Sequence, residues 1–155
     1  MKNLIYLKRA EPKDAKFIWR LRNNKNIRKN FFNSSSISYD EHLTWFKDKL
    51  SSFDTYIFII KNIHKRRIGY VRFDRKRNNV WKASIAIIPK FQSLGYGASS
   101  LKKGCKKLIK TVAVKKIVAY IIKGNIPSFK AFIKAGFVSK KKVTVNRKNA
   151  IMLAL

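Results

Sequence analysis

Residues 89–103, PKFQSLGYGASSLKK, mark the point where one periodicity gives way to another. The stretch before it, VWKASIAII (80–88), is rich in β-branched and aromatic side chains and is closed by Pro89, the composition of a buried strand. After it, Ala98, Leu101, Cys105, Leu108 and Val112 recur at three- and four-residue spacings. That places them on one face of a helix whose remaining surface carries Lys102, Lys103, Lys106, Lys107 and Lys110. Gly95 and Gly97 therefore sit at a strand-to-helix junction. The first N–H groups of such a helix have no intrahelical partner, and its dipole adds partial positive charge, so the junction suits a phosphate. Two glycines let an anion reach the backbone with no Cβ in the way. A tight turn alone would use the same residues, and the loop by itself leaves both readings open.

Composition bounds what the loop can belong to. A chain of 155 residues with 46% hydrophobic content supports one domain, residues 1–155, with a proper core. The opening MKNLIYLKRAEP lacks the apolar stretch and cleavage site of a leader, and no run is long enough to span a bilayer, so a cytoplasmic protein without a membrane segment is expected. The single cysteine, Cys105, falls on the apolar face of the lysine-rich helix and reads as a packed thiol. Two histidines and one cysteine, widely separated, offer no metal-ligand spacing.

The net charge of +30 invites a polyanion, nucleic acid included. All seven carboxylates lie between Glu11 and Asp74, and the rest of the chain carries none. Yet the basic residues run through every segment without forming an arm or tail, and the joint abundance of Lys, Asn, Ile, Phe and Tyr is what an A·T-rich coding sequence produces unselected. Nucleic acid is thus a possible partner and not the favoured one.

Working outward, LIYLKRA reads as a strand, and Pro12 opens a helix running to about Asn23 with Phe17, Ile18 and Leu21 inward. ISYDEHLTWFKDKL is a second amphipathic helix. TYIFIIKNI, RRIGYVRFD and VWKASIAII form an antiparallel meander. Beyond the glycine helix come the strand KKIVAYIIK, a short helix around PSFKAFIKA ended by Gly136, and VTV and AIMLAL as final strands.

This order, the loop Gln92-x-x-Gly95-x-Gly97 and the later NIPSFKAFIKAGF together resemble the GNAT superfamily of acyl-CoA-dependent N-acetyltransferases. The loop is similar to the family's Q/R-x-x-G-x-G/A signature for the pyrophosphate of coenzyme A. The later segment is similar to its Asn-x-x-Ala/Ser, aromatic, Gly-Phe pattern through Asn125, Ser128, Phe132, Gly136 and Phe137. The resemblance implies an α+β fold with a central mixed, mostly antiparallel twisted sheet of about seven strands flanked by about four helices. It implies acetyl-CoA as cofactor, held by the backbone near Ile87 and Ile88, by the loop residues Gln92, Leu94, Gly95, Tyr96, Gly97 and Ala98, and by Asn125, Ser128 and Phe132. Where many relatives carry a glutamate on the strand before the loop this chain has Ser84, and where many carry a tyrosine thought to protonate the thiolate it has Phe132.

A narrower resemblance concerns the acceptor. LRNNKNIRKNFFNSSSISYDEHLTWF and GYVRFDR are similar to a branch that acetylates nucleotide-linked 4-amino sugars, as in pathways of the pseudaminic acid type. The matching residues are Arg22, Asn23, Arg28, His42, Trp45 and Arg72, with Asp74 and His42 as the acid–base candidates. His42 and Trp45 also suit a helix face packed on the sheet, and Arg72 with Asp74 also suits a plain ion pair. A protein or ribosomal N-terminal acetyltransferase, and a non-catalytic polyanion-binding protein of the same fold, are the alternatives. A monomer or homodimer is expected.

Overall fold

The computed structural model describes residues 4–155; Met1–Asn3, the start of the segment read for a leader, lie outside the described residues. Seven strands form one sheet in the order β1-β2-β3-β4-β5-β7-β6. They are β1 (Ile5–Arg9), β2 (Thr55–Asn62), β3 (Arg67–Arg75), β4 (Val80–Ile87), β5 (Lys116–Ile122), β6 (Val138–Val145) and β7 (Lys148–Ala154). All neighbours pair antiparallel except β4 and β5. The mixed, mostly antiparallel α+β architecture is as expected.

Side-chain alternation along the strands divides the core in two. On one face Phe58, Phe73, Trp81, Ala83 and Ile87 pack against α4 (Tyr96–Thr111) and α5 (Ile126–Lys134), through Leu101, Cys105, Leu108 and Phe132. On the other, Ile57, Ile59, Tyr70 and Ala86 pack against α1 (Ala15–Asn23), α2 (Lys25–Arg28) and α3 (Tyr39–Ser51), through Ile18, Leu21, Ile27 and Phe46. Phe46, Phe73 and Trp81 are almost wholly enclosed, each contributing roughly 1.5–3 kcal/mol by burial. Burial also pushes the Cys105 thiol up to about 12, so it is the packed, unreactive group its helix position implies.

Among the described residues there are five α-helices, one more than the sequence suggests. The additional one, α2, is a single turn in which only Ile27 is apolar and buried, so it leaves no periodic trace; Asn24 Oδ1 caps it by accepting from the Asn26 N–H at 2.9 Å. Pro12 opens a 3-10 turn (Pro12–Asp14) that leads into α1, and Phe17 is only half-buried beside the inward Ile18 and Leu21. The final hairpin is longer than VTV implies. Its strand β6 carries Lys140–Lys142 on an exposed edge, and the turn is made by Asn146 and Arg147, both at positive φ (48° and 64°).

Candidate active site

The sheet contains its own opening. Parallel pairing of β4 with β5 extends only from Val80 to Lys82 against Lys116 to Val118. Trp81 fixes that end, its Nε1–H donating to the Ala113 carbonyl just before β5 at 3.1 Å. Beyond Lys82 the strands part, and a cavity of about 880 Å³ occupies the split. Its lining includes Ala83, Ile85 and Ile87 from the α4 face of β4 and Lys82, Ser84 and Ala86 from the α1 face, so it opens through the sheet.

Register decides which backbone groups face the opening. The Ile88 N–H donates to the Ile68 carbonyl at 2.9 Å, which makes Ile88, Ala86 and Ser84 the residues bonded to β3 and turns Ile87 and Ile85 the other way. The expectation of donors at Ile87 and Ile88 is corrected accordingly: the Ile88 donor is already used and Ile88 does not line the cavity, whereas Ile85 and Ile87 do. The Ile87 carbonyl accepts from Gln92 Nε2 at 2.8 Å, so Gln92 ties the following loop back to the strand end.

At the base of the split the loop enters α4 through Gly95, whose φ of 85° is the left-handed conformation a side chain resists. The N–H groups of Tyr96, Gly97 and Ala98 precede the first intrahelical bond, which runs from the Ser99 N–H to the Gly95 carbonyl at 3.3 Å. Gly97 has a second reason to lack a side chain. A Cβ there would lie 3.1 Å from Ala131 Cβ of α5 and 3.7 Å from Ile87 Cδ1, so the glycine also lets the two helices close. Gly95, Gly97 and Ala98 line the cavity, while Leu94 is 52% exposed and Tyr96 turns aside to an edge-on contact with Phe91. On the opposite wall Asn125 Oδ1 caps α5 by accepting from the Ser128 N–H at 3.4 Å, and Asn125, Ser128 and Phe132 all line the cavity. Phe132 rests edge-on against Phe137 at 4.9 Å.

The fit for coenzyme A is good on these observations: a left-handed glycine, three unpaired helix N–H groups, an unpaired strand edge and a cavity joining them.

The α1 face holds the remaining candidates, and the structure separates them. Arg22 and Arg72 line the cavity; Asn23, Arg28, His42, Trp45 and Asp74 do not. Asn23 pins the segment between α2 and α3, donating to the Ile37 carbonyl at 2.8 Å and accepting from its N–H at 3.0 Å. Arg22 holds the same segment through the Asn33 and Ser35 carbonyls and lies over the Phe31 ring. Trp45 packs behind Arg72, whose guanidinium sits 5.2 Å from its ring centre.

Both acid–base candidates are relocated. His42 is enclosed, stacked on Phe46, with Nε2 at 2.9 Å from the Ala15 carbonyl and Nδ1 without a partner. Burial holds its basicity below the ordinary imidazole value. Asp74 accepts from Arg72 Nε at 2.7 Å and from Thr55 Oγ1 at 3.1 Å, so both its oxygens are committed below the cavity wall.

Sequence reasoning missed Lys82, Tyr70 and Asn146 as lining residues. Only strand register places the first two, and Asn146 arrives from the hairpin at the far end of the chain, held there by Lys148 Nζ donating to the Phe31 carbonyl at 3.0 Å. The charged side chains lining the cavity are Arg22, Arg72, Lys82, Lys130 and Lys134, with no carboxylate. Burial, and after it Arg72, lowers the pKa of Lys82; burial raises that of Tyr70 and keeps its phenol protonated. Among the described residues no group of three or more His, Cys, Asp or Glu side chains gathers to hold a metal, and no helix is long and apolar enough to cross a membrane.

Comparison with known proteins bears on this geometry. Residues 5–138 match the domain family described as acetyltransferase (GNAT) domain. No curated protein matches the chain by sequence. Among solved structures, a spermidine N-acetyltransferase from Vibrio cholerae in complex with CoA and spermine is similar at a TM-score of 0.87 and 19% identity, over 97% of this chain and 94% of that one. A GNAT-family acetyltransferase from Bacillus anthracis is similar at a TM-score of 0.84 and 14% identity, over 100% of this chain and 96% of that one.

Proposed function

Because this chain belongs to the GNAT acetyltransferase family and so transfers acetyl from acetyl-CoA to an amine, we propose that its acceptor is a primary amine on an anionic small molecule, a nucleotide-linked amino sugar. The observation that carries the reading is the charge of the acceptor side: Arg22 and Arg72 line it and no carboxylate does. A polyamine such as the spermine of the Vibrio cholerae complex meets like charge and no carboxylate on this lining, Asp74 lying behind it and bonded to Arg72. At about 6 Å and an effective dielectric between bulk water and a protein surface, each such pair costs roughly 1–3 kcal/mol. A phosphate reverses the sign of every pair, and an arginine offers it paired donors.

Bound acetyl-CoA supplies the acetyl group as an activated thioester. The N–H groups of Tyr96, Gly97 and Ala98 receive its pyrophosphate, and the helix dipole adds to their hold. Ile85 and Ile87 offer N–H groups along the free edge of β4, fixed in place before reaction, toward developing negative charge on the carbonyl oxygen. Phe132 forms an apolar wall, and Arg22 and Arg72 orient the acceptor's phosphate so that its amine enters the split from the α1 face. The test is an acetyl-transfer panel containing UDP-linked 4-amino-4,6-dideoxy sugars, spermidine and basic peptides, with product mass as the readout. Acetylation confined to spermidine or to peptides would overturn the substrate assignment.

A further inference from the structure

The cavity lacks the group that its chemistry most needs. An amine is protonated near neutral pH and must lose that proton before it can attack a carbonyl. Ser84, which cannot act as a base unaided, is the β4 residue nearest the acceptor arginines on this face, opposite Arg72 in the register, and no carboxylate lines the site. The lining side chains able to exchange a proton in water are Lys82, Lys130, Lys134, Tyr70 and Tyr120. Lys130 and Lys134 lie on α5 and Tyr120 on β5, across the split from the β4 residues at the acceptor entrance, and Tyr70 is an enclosed phenol.

Lys82 differs from all of these in its setting. It lies directly opposite Asp74 in the β3–β4 register, where a cross-strand ion pair would ordinarily form. Asp74 instead gives one oxygen to Arg72 Nε and the other to Thr55 Oγ1, and Lys82 has no ion-pair partner among the described residues. The groups around it are predominantly cationic: Arg72 and Lys76 from β3 and the turn after it, Lys49 from α3, with Asp74 the one opposing charge. Partial burial and these neighbours both favour the neutral amine, and its basicity is lowered accordingly.

Position agrees with this. Lys82 and Ser84 project from the same face of β4, the face on which Arg22 and Arg72 await the acceptor. Lys82 is the last residue before the strands part, three residues from Ile85, or about 10 Å of extended chain. Its flexible four-carbon stem covers much of that span and one bridging water the rest.

We propose that Lys82 is the proton acceptor for the substrate amine, a role that rests on the acetyl-transfer reading above. The substrate ammonium gives one proton to neutral Lys82 Nζ through a water. The freed nitrogen lone pair forms the C–N bond as the thioester C–S bond breaks, and the sulfur leaves with the bonding electrons. The amide nitrogen releases its second proton to that thiolate, and Lys82 returns its own to solvent through the open cavity.

Two measurements test this. In protein labelled with 13C at the lysine ε carbons, a titration followed by NMR, with the Lys82 signal assigned by its loss in Lys82→Arg, reads the group without any substrate. Lys82 should titrate clearly below the ordinary lysine value of about 10.4. With a UDP-linked 4-amino-4,6-dideoxy sugar as acceptor, kcat/KM should rise tenfold per pH unit and level off at the same inflection. Lys82→Arg, which keeps the cation and cannot yield a neutral base at these pH values, should lose at least about a hundredfold in kcat with acetyl-CoA affinity unchanged. A Lys82 that titrates with the surface lysines, or Lys82→Arg with the wild-type rate and profile, overturns the role. A sugar that the wild type ignores sinks the substrate reading instead, and the titration then decides Lys82 by itself.

Discussion

Replacing Asp74 with Asn separates two readings of the acceptor side. If Asp74 anchors Arg72, the change removes the charge from a carboxylate whose side chain is only 11% exposed and which accepts at 2.7 Å from a guanidinium 26% exposed. A hydrogen bond to a charged group contributes about 1.5–3 kcal/mol, and Asn retains one acceptor for Arg72 or Thr55 but not both, so about 2 kcal/mol is lost. In a domain of this size that lowers Tm by about 4–8 °C, read by differential scanning calorimetry. Arg72, less firmly held, should raise the acceptor KM by about tenfold, while kcat stays within about threefold. Asp74 is also the one charge that holds a proton on Lys82. Its loss should therefore move the inflection of the pH–rate profile to lower pH. A hundredfold fall in kcat at unchanged Tm would mean that Asp74 itself takes the proton, and the anchoring argument would fail.

Gly97→Glu should weaken acetyl-CoA binding by at least tenfold, about 1.4 kcal/mol by calorimetry; since the added Cβ also meets Ala131, recovery in Gly97→Glu with Ala131→Gly would show that helix packing was the whole effect. His42 has a folded-state pKa below its unfolded one, so the unfolded chain binds the extra proton first and stability should fall as pH drops through about 6.5 toward the folded value; His42→Phe should flatten that part of the pH–stability curve, and an unchanged curve would contradict the buried neutral imidazole. Tyr120 lines the cavity and Tyr96 does not, so if a tyrosine protonates the departing thiolate it is Tyr120. With Phe132 unable to donate, no side-chain acid is expected: kcat should plateau at high pH in both the wild type and Tyr120→Phe, and a descending limb near pH ~10 that vanishes in Tyr120→Phe would refute it.

What the sequence disclosed and what it withheld follow from range. The glycine loop was legible because its requirements are local. Gly95 must take a positive φ, and the switch of periodicity on either side of it places a helix N-terminus there whatever the rest of the chain does. Gly97 was half legible, since its contact with Ala131 depends on how two helices cross. Of the two donors expected on β4, Ile87 faces the split and Ile88 faces the neighbouring strand, because the direction of an N–H follows register, and register is set by β3. Lys82 reads as one lysine among many until its place opposite an already occupied Asp74 is known. His42 and Trp45 match a motif, yet their helix turns them toward Phe46 and Arg72, the packing alternative that the sequence left open.

If the amine that accepts the acetyl group is borne by an anion, the site must discriminate between an amino sugar nucleotide and a polyamine. The most direct measurement is kcat/KM for a UDP-linked 4-amino-4,6-dideoxy sugar against spermidine, at one pH and ionic strength, with acetylated product read by mass spectrometry. Arg22 and Arg72, each opposing a polyamine by about 1 kcal/mol near water-like screening, favour the sugar by about thirtyfold or more. Spermidine turned over as efficiently as the sugar, or better, would contradict it.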